Sequence, residues 1–360
     1  MKPCRRHLCL LLFVCLLGLF GQMCFAQERQ LCIHADERVE LMATVQYLSG
    51  YFLTSRYPTN YKKEIKQRFA NYKNHPAVTL FAQLSHDHFS YSEPFKFILQ
   101  YNNIPYFEAQ YNTDFSPVSA GQADSLALFA NLLQDFYKKT QFGKFFDQHQ
   151  PLYDTLSNQI SQQLGNTNYI ALLENYFGKQ QADYELIFSP LLPNGGFGPA
   201  AKLSNNQYIL YALVGANGID KGMPTFDTQS FATNLLLHEF IHSFINPLTE
   251  KNIIALNKCD NLYAYIANDM AAKAYDRWDI VINEHLVRAA VIRIAQKQFG
   301  TQTANDLIER EKQAGFLYIE PVINALVLYE NRRRKYPTFE HYYPEIIKLF
   351  EQLSNSIESK

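Results

Sequence analysis

Hydrophobic positions recur with a helical period along much of the first half of the chain. Val39, Leu41, Met42, Val45 and Leu48 form one such stripe, and Leu126, Phe129, Leu132, Leu133 and Phe136 form another. These spacings line up side chains on one helix face, so residues 38–146 are predicted to be mainly helical. The pattern changes between 186 and 215. Leu186-Ile187-Phe188 and Tyr208-Ile209-Leu210-Tyr211-Ala212-Leu213-Val214 are short apolar runs of the strand type. Between them, Asn194-Gly195-Gly196-Phe197-Gly198-Pro199 has the composition of a turn-rich loop. Helical periodicity returns from Phe231 onward, with runs near 263–298, 302–313 and 318–334. Helices, a small sheet and helices again predict an α+β fold, mostly helical, with a small antiparallel or mixed sheet before the helix at 231. The expected regions are 27–185, mainly helical; 186–300, the core that carries the chemistry; and 301–360, helical again. Residues 27–360 are expected to act as one integrated unit.

The first 26 residues belong to a different category. Lys2, Arg5 and Arg6 precede an apolar stretch from Leu8 to Phe20, and the segment closes on Cys24-Phe25-Ala26. A basic start, a short apolar run and small residues at its end are the features of a secretory signal peptide. The chain is therefore expected to be exported, to the periplasm or outside the cell. A lipid anchor is the weaker reading, because Cys24 follows Met23 and Cys15 follows Val14, neither of them small. No later stretch reaches the roughly 18 apolar residues a membrane-spanning helix needs.

Removing the leader changes the charge and cysteine counts. The whole chain has 33 Lys+Arg and 34 Asp+Glu; without Lys2, Arg5 and Arg6 it keeps 30 and 34, a net charge of −4. That balance argues against general nucleic-acid binding. Of six cysteines only Cys32 and Cys259 remain, either as one disulfide or as two buried thiols.

The sharpest signal is His238-Glu239-Phe240-Ile241-His242, in a segment from Phe231 to Ile245 that is apolar nearly all round. Such a segment predicts a buried helix, capped by Asp227 or Thr228 and stopped by Asn246-Pro247. Residues four apart share a helix face, so His238 and His242 can clasp one zinc ion. Glu239 lies about a third of a turn away, placed to take a proton from a water rather than to bind the ion. Two imidazoles and a carboxylate in an apolar helix are costly without a shared purpose.

A catalytic zinc site has a third protein ligand. The HExxHxxGxxH arrangement is absent, since Ile245 stands at the glycine position. Glu284 is the favoured third ligand, because it falls within the apolar stripe of Trp278–Ala290, with Arg288 one turn on to orient it. His285, Asp279, Asp276 and Glu250 are its competitors.

His238-Glu239-x-x-His242 with a downstream helical Glu284 resembles the gluzincin branch of zinc metallopeptidases. The resemblance implies a zincin-like core, one zinc held by His238, His242 and Glu284, and Glu239 as general base. It also implies that the strand at 208–214 lines the cleft and pairs with a peptide substrate. Arg288 departs from the pattern, standing where the best-known members have an acidic residue. Glu37-Arg38-Val39-Glu40-Leu41, with Phe69, Tyr72, Lys73 and His75-Pro76-Ala77-Val78, is similar to a family of secreted bacterial proteins catalogued as a domain of unknown function.

The expected function is thus a secreted zinc-dependent metallopeptidase acting on peptide or protein substrates. A non-catalytic binding protein on the same scaffold is the alternative, and zinc-dependent hydrolysis of cell-wall material a third reading. An oxyanion donor is sought among Tyr329, Arg332, Tyr336, His341 and Tyr342, with Tyr336 preferred. No GxSxG occurs, and the glycine loop lacks the Lys-Ser/Thr of a phosphate cradle. The aromatic residues from Phe89 to Tyr111 are read as packing, and His86 and His88 as a weak metal pair.

Overall fold

The two apolar runs form the middle of a six-stranded mixed sheet. Tyr208–Gly215 is the central strand and lies parallel to Asp183–Ser189, in register from Asp183↔Ile209 to Ser189↔Gly215. Beyond it, Cys32–His34 adds a further parallel strand. On its other side the central strand pairs antiparallel with two short strands, Ala200–Lys202 near its start and Gly196–Phe197 near its end; Asn112–Thr113 completes that edge. Leu186–Phe188 and Leu210–Val214 are buried on both faces, which is why they read as unbroken apolar runs. A computed structural model describes residues 29–358 apart from 105, 110–111, 114, 193–194, 206 and 227–234. The expected leader, the helix start at Phe231 and the caps Asp227 and Thr228 therefore lie outside the described residues.

The α+β class holds: helices cover most of the chain around small mixed and antiparallel sheets. Buried apolar side chains from Val39 to Phe350 form one continuous core. Among the described residues no helix is long and apolar enough to cross a membrane.

Several local expectations are corrected. The strand at 208–214 cannot pair with a peptide substrate, because neighbouring strands occupy both of its edges. Gly196–Phe197, expected as loop, is instead a short strand, and the Phe197 ring stacks on Phe95 at 5.5 Å. The run at 263–298 is broken into short helices, Asn261–Ala264 and Ala267–Ala271, followed by a turn and the long helix Trp278–Phe299. Ala274 adopts a left-handed conformation in that turn, and the Tyr263 hydroxyl donates to the Tyr275 carbonyl. Pro247 does not stop the HExxH helix, which runs from Leu237 to Lys251. Pro247 is exposed, so the carbonyl that loses its helical partner can be hydrated. Cys259 is a free buried thiol, so the Cys32–Cys259 bridge is not formed.

The helix Glu37–Ser49 carries an unusual load of buried polar groups, among them Glu40. Its Oε2 accepts from the Tyr61 hydroxyl at 2.7 Å, which in turn meets Tyr153 at 2.6 Å. Burial pushes the Glu40 carboxyl up from 4.5 to about 7, against the opposing pull of the Ser189 and Tyr61 hydroxyls. A carboxyl raised in the fold binds a proton on folding. Its stabilising effect is therefore full below about pH 4.5 and is lost as the pH rises to about 7. Denaturant unfolding at several pH values should show wild type losing about 3 kcal/mol across that window relative to Glu40→Gln. Parallel pH profiles for the two proteins would rule the buried acid out.

Candidate metal centre

The HExxH helix packs lengthwise against the helix Trp278–Phe299 and against the central strand. Tyr184 meets Phe240 edge-on, and Phe177 stacks on Phe244 at 4.5 Å. These apolar contacts bury one face of the helix and leave His238 and His242 half-buried on another. Past the histidines, the Thr249 hydroxyl hydrogen-bonds to Asn283 and to the Tyr343 hydroxyl. That polar contact sets the register between the two helices next to Glu284.

His238 and His242 bring their Nε2 atoms to 3.0 Å. Glu284 Oε1 lies 3.4 Å from His242 Nε2, and its Oε2 lies 3.6 Å from His238 Nε2. An ion bonded at about 2.0–2.2 Å to donors in tetrahedral directions sets those donors about 3.3–3.6 Å apart. Both Glu284 separations lie in that range and the histidine pair is somewhat closer, so the three side chains, which share one cluster, could hold a single metal ion. Asn246 Oδ1 sits 3.1 Å from His242 Nδ1. With Nδ1 donating there, the Nε2 lone pair is left to face the cluster.

Arg288 plays the orienting role expected of it. Its Nη2 donates to Glu284 Oε2 at 3.0 Å and to the Tyr275 hydroxyl at 3.2 Å, while Nη1 donates to Glu311 Oε2 at 3.1 Å. The guanidinium lies over the Phe316 ring, 4.3 Å from its centroid. Burial alone would raise the Glu284 carboxyl, but the two histidines and Arg288 hold it well below the usual range. Glu239 has no such cation in contact, and burial pushes it up to about 7.

The competing ligands are placed elsewhere. His285 is fully buried, with Nδ1 against the Val281 carbonyl and Nε2 accepting from the Tyr318 amide. Asp279 pairs with Arg277, Asp276 is exposed in the turn before the long helix, and Glu250 is exposed on the HExxH helix. The proposed oxyanion donors also lie away from the centre. The Tyr336 hydroxyl donates to Glu345, Tyr329 to the Tyr176 carbonyl and Tyr342 to the Ala325 carbonyl, while His341 bonds Thr338 and Arg332 ends a helix. The phenol beside the cluster is Tyr275, in the turn that interrupts the expected helix. Asp87 is flanked as expected by His86 and His88, but they join no cluster of three ligands among the described residues.

A cleft of about 150 Å³ opens onto this centre. Glu239, His242 and Asn246 line it from the HExxH helix, Gly196 to Pro199 from the edge of the sheet, and Ser92 and Lys96 from the helix Glu93–Leu99. Two glycines permit the close approach of sheet and helix. A Cβ on Gly196 would fall 2.8 Å from the Glu239 side chain, and one on Gly198 would fall 2.1 Å from the Glu239 carbonyl oxygen. Gly198→Ala should thus push the edge segment off the helix and cost about 1–3 kcal/mol, with weaker zinc binding. Gly121→Ala, whose Cβ meets nothing within 4 Å, is the control. Equal melting temperatures and zinc affinities for the two variants would show that the contact is not needed.

Residues 31–349 match the family described as a domain of unknown function, DUF4932. The chain belongs to that family. No curated protein and no solved structure matches this DUF4932 chain. In it, Asn246, Tyr275, Gly198 and Lys96 are the site residues that sequence reasoning did not single out. Only the glycine-dense segment before the HExxH helix offered a signal, and it read as a turn.

Proposed function

We propose that the chain is a zinc-dependent hydrolase of the gluzincin type that cleaves peptide bonds outside the cytoplasm. The observation that carries this reading is the convergence of His238, His242 and Glu284, whose ligand atoms all lie within 4.8 Å of one another. Zinc bound there supplies Lewis acidity.

The protein's own groups account for the remaining chemistry. Glu239 lines the cleft beside His242, where it can take a proton from the attacking water and return it to the leaving amine. Asn246 holds the His242 tautomer, and Arg288 and Tyr275 hold Glu284. Gly196–Phe197, whose outer side meets no strand among the described residues, offers an edge for an extended peptide. A site that only held metal would have no use for Glu239, which supports catalysis over the binding-protein reading.

The test is elemental analysis of the purified chain followed by incubation with mixed peptides. About one zinc per chain is expected, with cleavage lost to a chelator and restored by added zinc. Failure to take up zinc would overturn the metal centre. Full zinc content without any hydrolysis would leave the binding-protein reading standing.

A further inference from the structure

Two exposed aromatic rings stand next to the wall of the cleft. Phe52 is 56% exposed and Tyr91 45%, and among the described residues they are the exposed aromatic rings found in contact with one another. Single exposed rings are ordinary on a protein surface, whereas a pair held in a fixed geometry asks for a reason. One buried residue, Tyr51, sets both. Its ring meets Phe52 at 4.9 Å and is backed by Phe81, while its hydroxyl accepts from the Tyr91 amide at 2.9 Å. Tyr91 is held there at a φ of 53°, a left-handed conformation that is costly for a bulky side chain.

The place of the pair gives it a task. Ser92, the residue after Tyr91, lines the cleft. Phe95, in the helix that follows, stacks on Phe197 at 5.5 Å and so fixes this segment to the Gly196–Phe197 edge. A peptide extended along that edge advances about 3.3 Å per residue, so a side chain roughly two to four residues from the cleaved bond comes level with the pair. The two ring planes meet at 74° with centroids 5.8 Å apart, which makes a corner rather than a flat platform. The face of a sugar needs a flat ring to stack on. An aromatic side chain instead turns its face to one ring and its edge to the other, the contacts that aromatic rings favour.

We infer that Phe52 and Tyr91 form a subsite for an aromatic side chain of the peptide substrate, a few residues from the cleaved bond. This rests on the peptidase reading above. The pair belongs to the N-terminal helical part of the chain and not to the helices that carry the metal ligands, so it selects substrate without touching the reacting atoms.

The experiment uses the zinc-loaded chain and matched peptides carrying Phe, Leu or Ala at each scanned position. With wild type, kcat/KM should be about tenfold higher for phenylalanine than for alanine at one position, with leucine between. High salt should leave that preference in place, because no charge carries it. Phe52→Ala and Tyr91→Gly should each cut it to about threefold or less, while the alanine peptide, which offers no ring, changes by no more than about twofold. Glycine accepts the left-handed backbone at position 91, so that variant removes the ring without new strain. Phe299→Ala is the control. It removes an exposed ring from the far end of the long helix, about 22 Å from Glu284 along the axis, and should leave the preference unchanged.

A wild type indifferent to the ring at every position overturns the inference, as do Phe52 and Tyr91 variants slowed equally on every peptide. Binding of the same peptides to zinc-loaded Glu239→Gln, read by fluorescence anisotropy, separates it from the peptidase reading. Preferred binding of the phenylalanine peptide that Tyr91→Gly abolishes, without cleavage by wild type, would sink the peptidase reading alone. Ring-blind binding would sink the subsite. Binding of a chitin oligosaccharide that Tyr91→Gly abolishes, without any ring-selective peptide binding, would make the pair a sugar platform and overturn the assignment.

Discussion

Replacing Glu284 by glutamine should release zinc while leaving the fold intact. The amide keeps the side chain's volume and still accepts from Arg288, which retains Glu311 and Tyr275 as partners. What is lost is the anionic oxygen that completes the cluster with His238 and His242. Two neutral imidazoles hold zinc far less tightly, so affinity should fall roughly a hundredfold or more. Competition with a chelating dye measures this directly, and circular dichroism confirms the fold. Unchanged affinity would remove Glu284 from the ligand set. His285 could not replace it, because both of its ring nitrogens are engaged in a fully buried environment.

The converse result is expected for Glu239→Gln, which should keep its zinc and lose its turnover. Glu239 follows His238 in sequence but points to the Gly196 side of the cleft, outside the three-ligand cluster. Removing a general acid–base group costs about 10²–10⁴ in rate. A glutamine of equal size should therefore leave zinc content at the wild-type level while kcat falls by that factor with little change in KM. Wild-type turnover would exclude proton transfer by Glu239. Loss of zinc together with turnover would make it a ligand. The two variants thus separate holding the metal from using it.

Much of the centre is legible along the chain because its geometry is local. The four-residue spacing of His238 and His242 within an apolar helix puts both imidazoles on one face wherever that helix sits. The same rule places Arg288 one turn beyond Glu284, and the structure forms that pair. Pro247 misled because its exposure, which lets water take the freed carbonyl, is not visible in sequence. Tyr336 misled because one tyrosine among 24 carries no mark of its surroundings, and its hydroxyl is spent on Glu345.

By itself the sequence determined the α+β class, the paired histidines with their adjacent carboxylate, and the periodic stripe that holds Glu284. Each follows from repeats of a few residues, which backbone geometry converts directly into faces. Only the tertiary structure decided that Tyr208–Gly215 is central and Gly196–Phe197 is the edge beside the cleft. It alone decided that Thr249 meets Asn283 so that Glu284 reaches both histidines, that Gly198 lies against the Glu239 backbone, and that Lys96 faces the centre. Those contacts join residues from 34 to more than 100 positions apart. Their geometry comes from how whole elements pack, and local periodicity carries no record of which elements will meet.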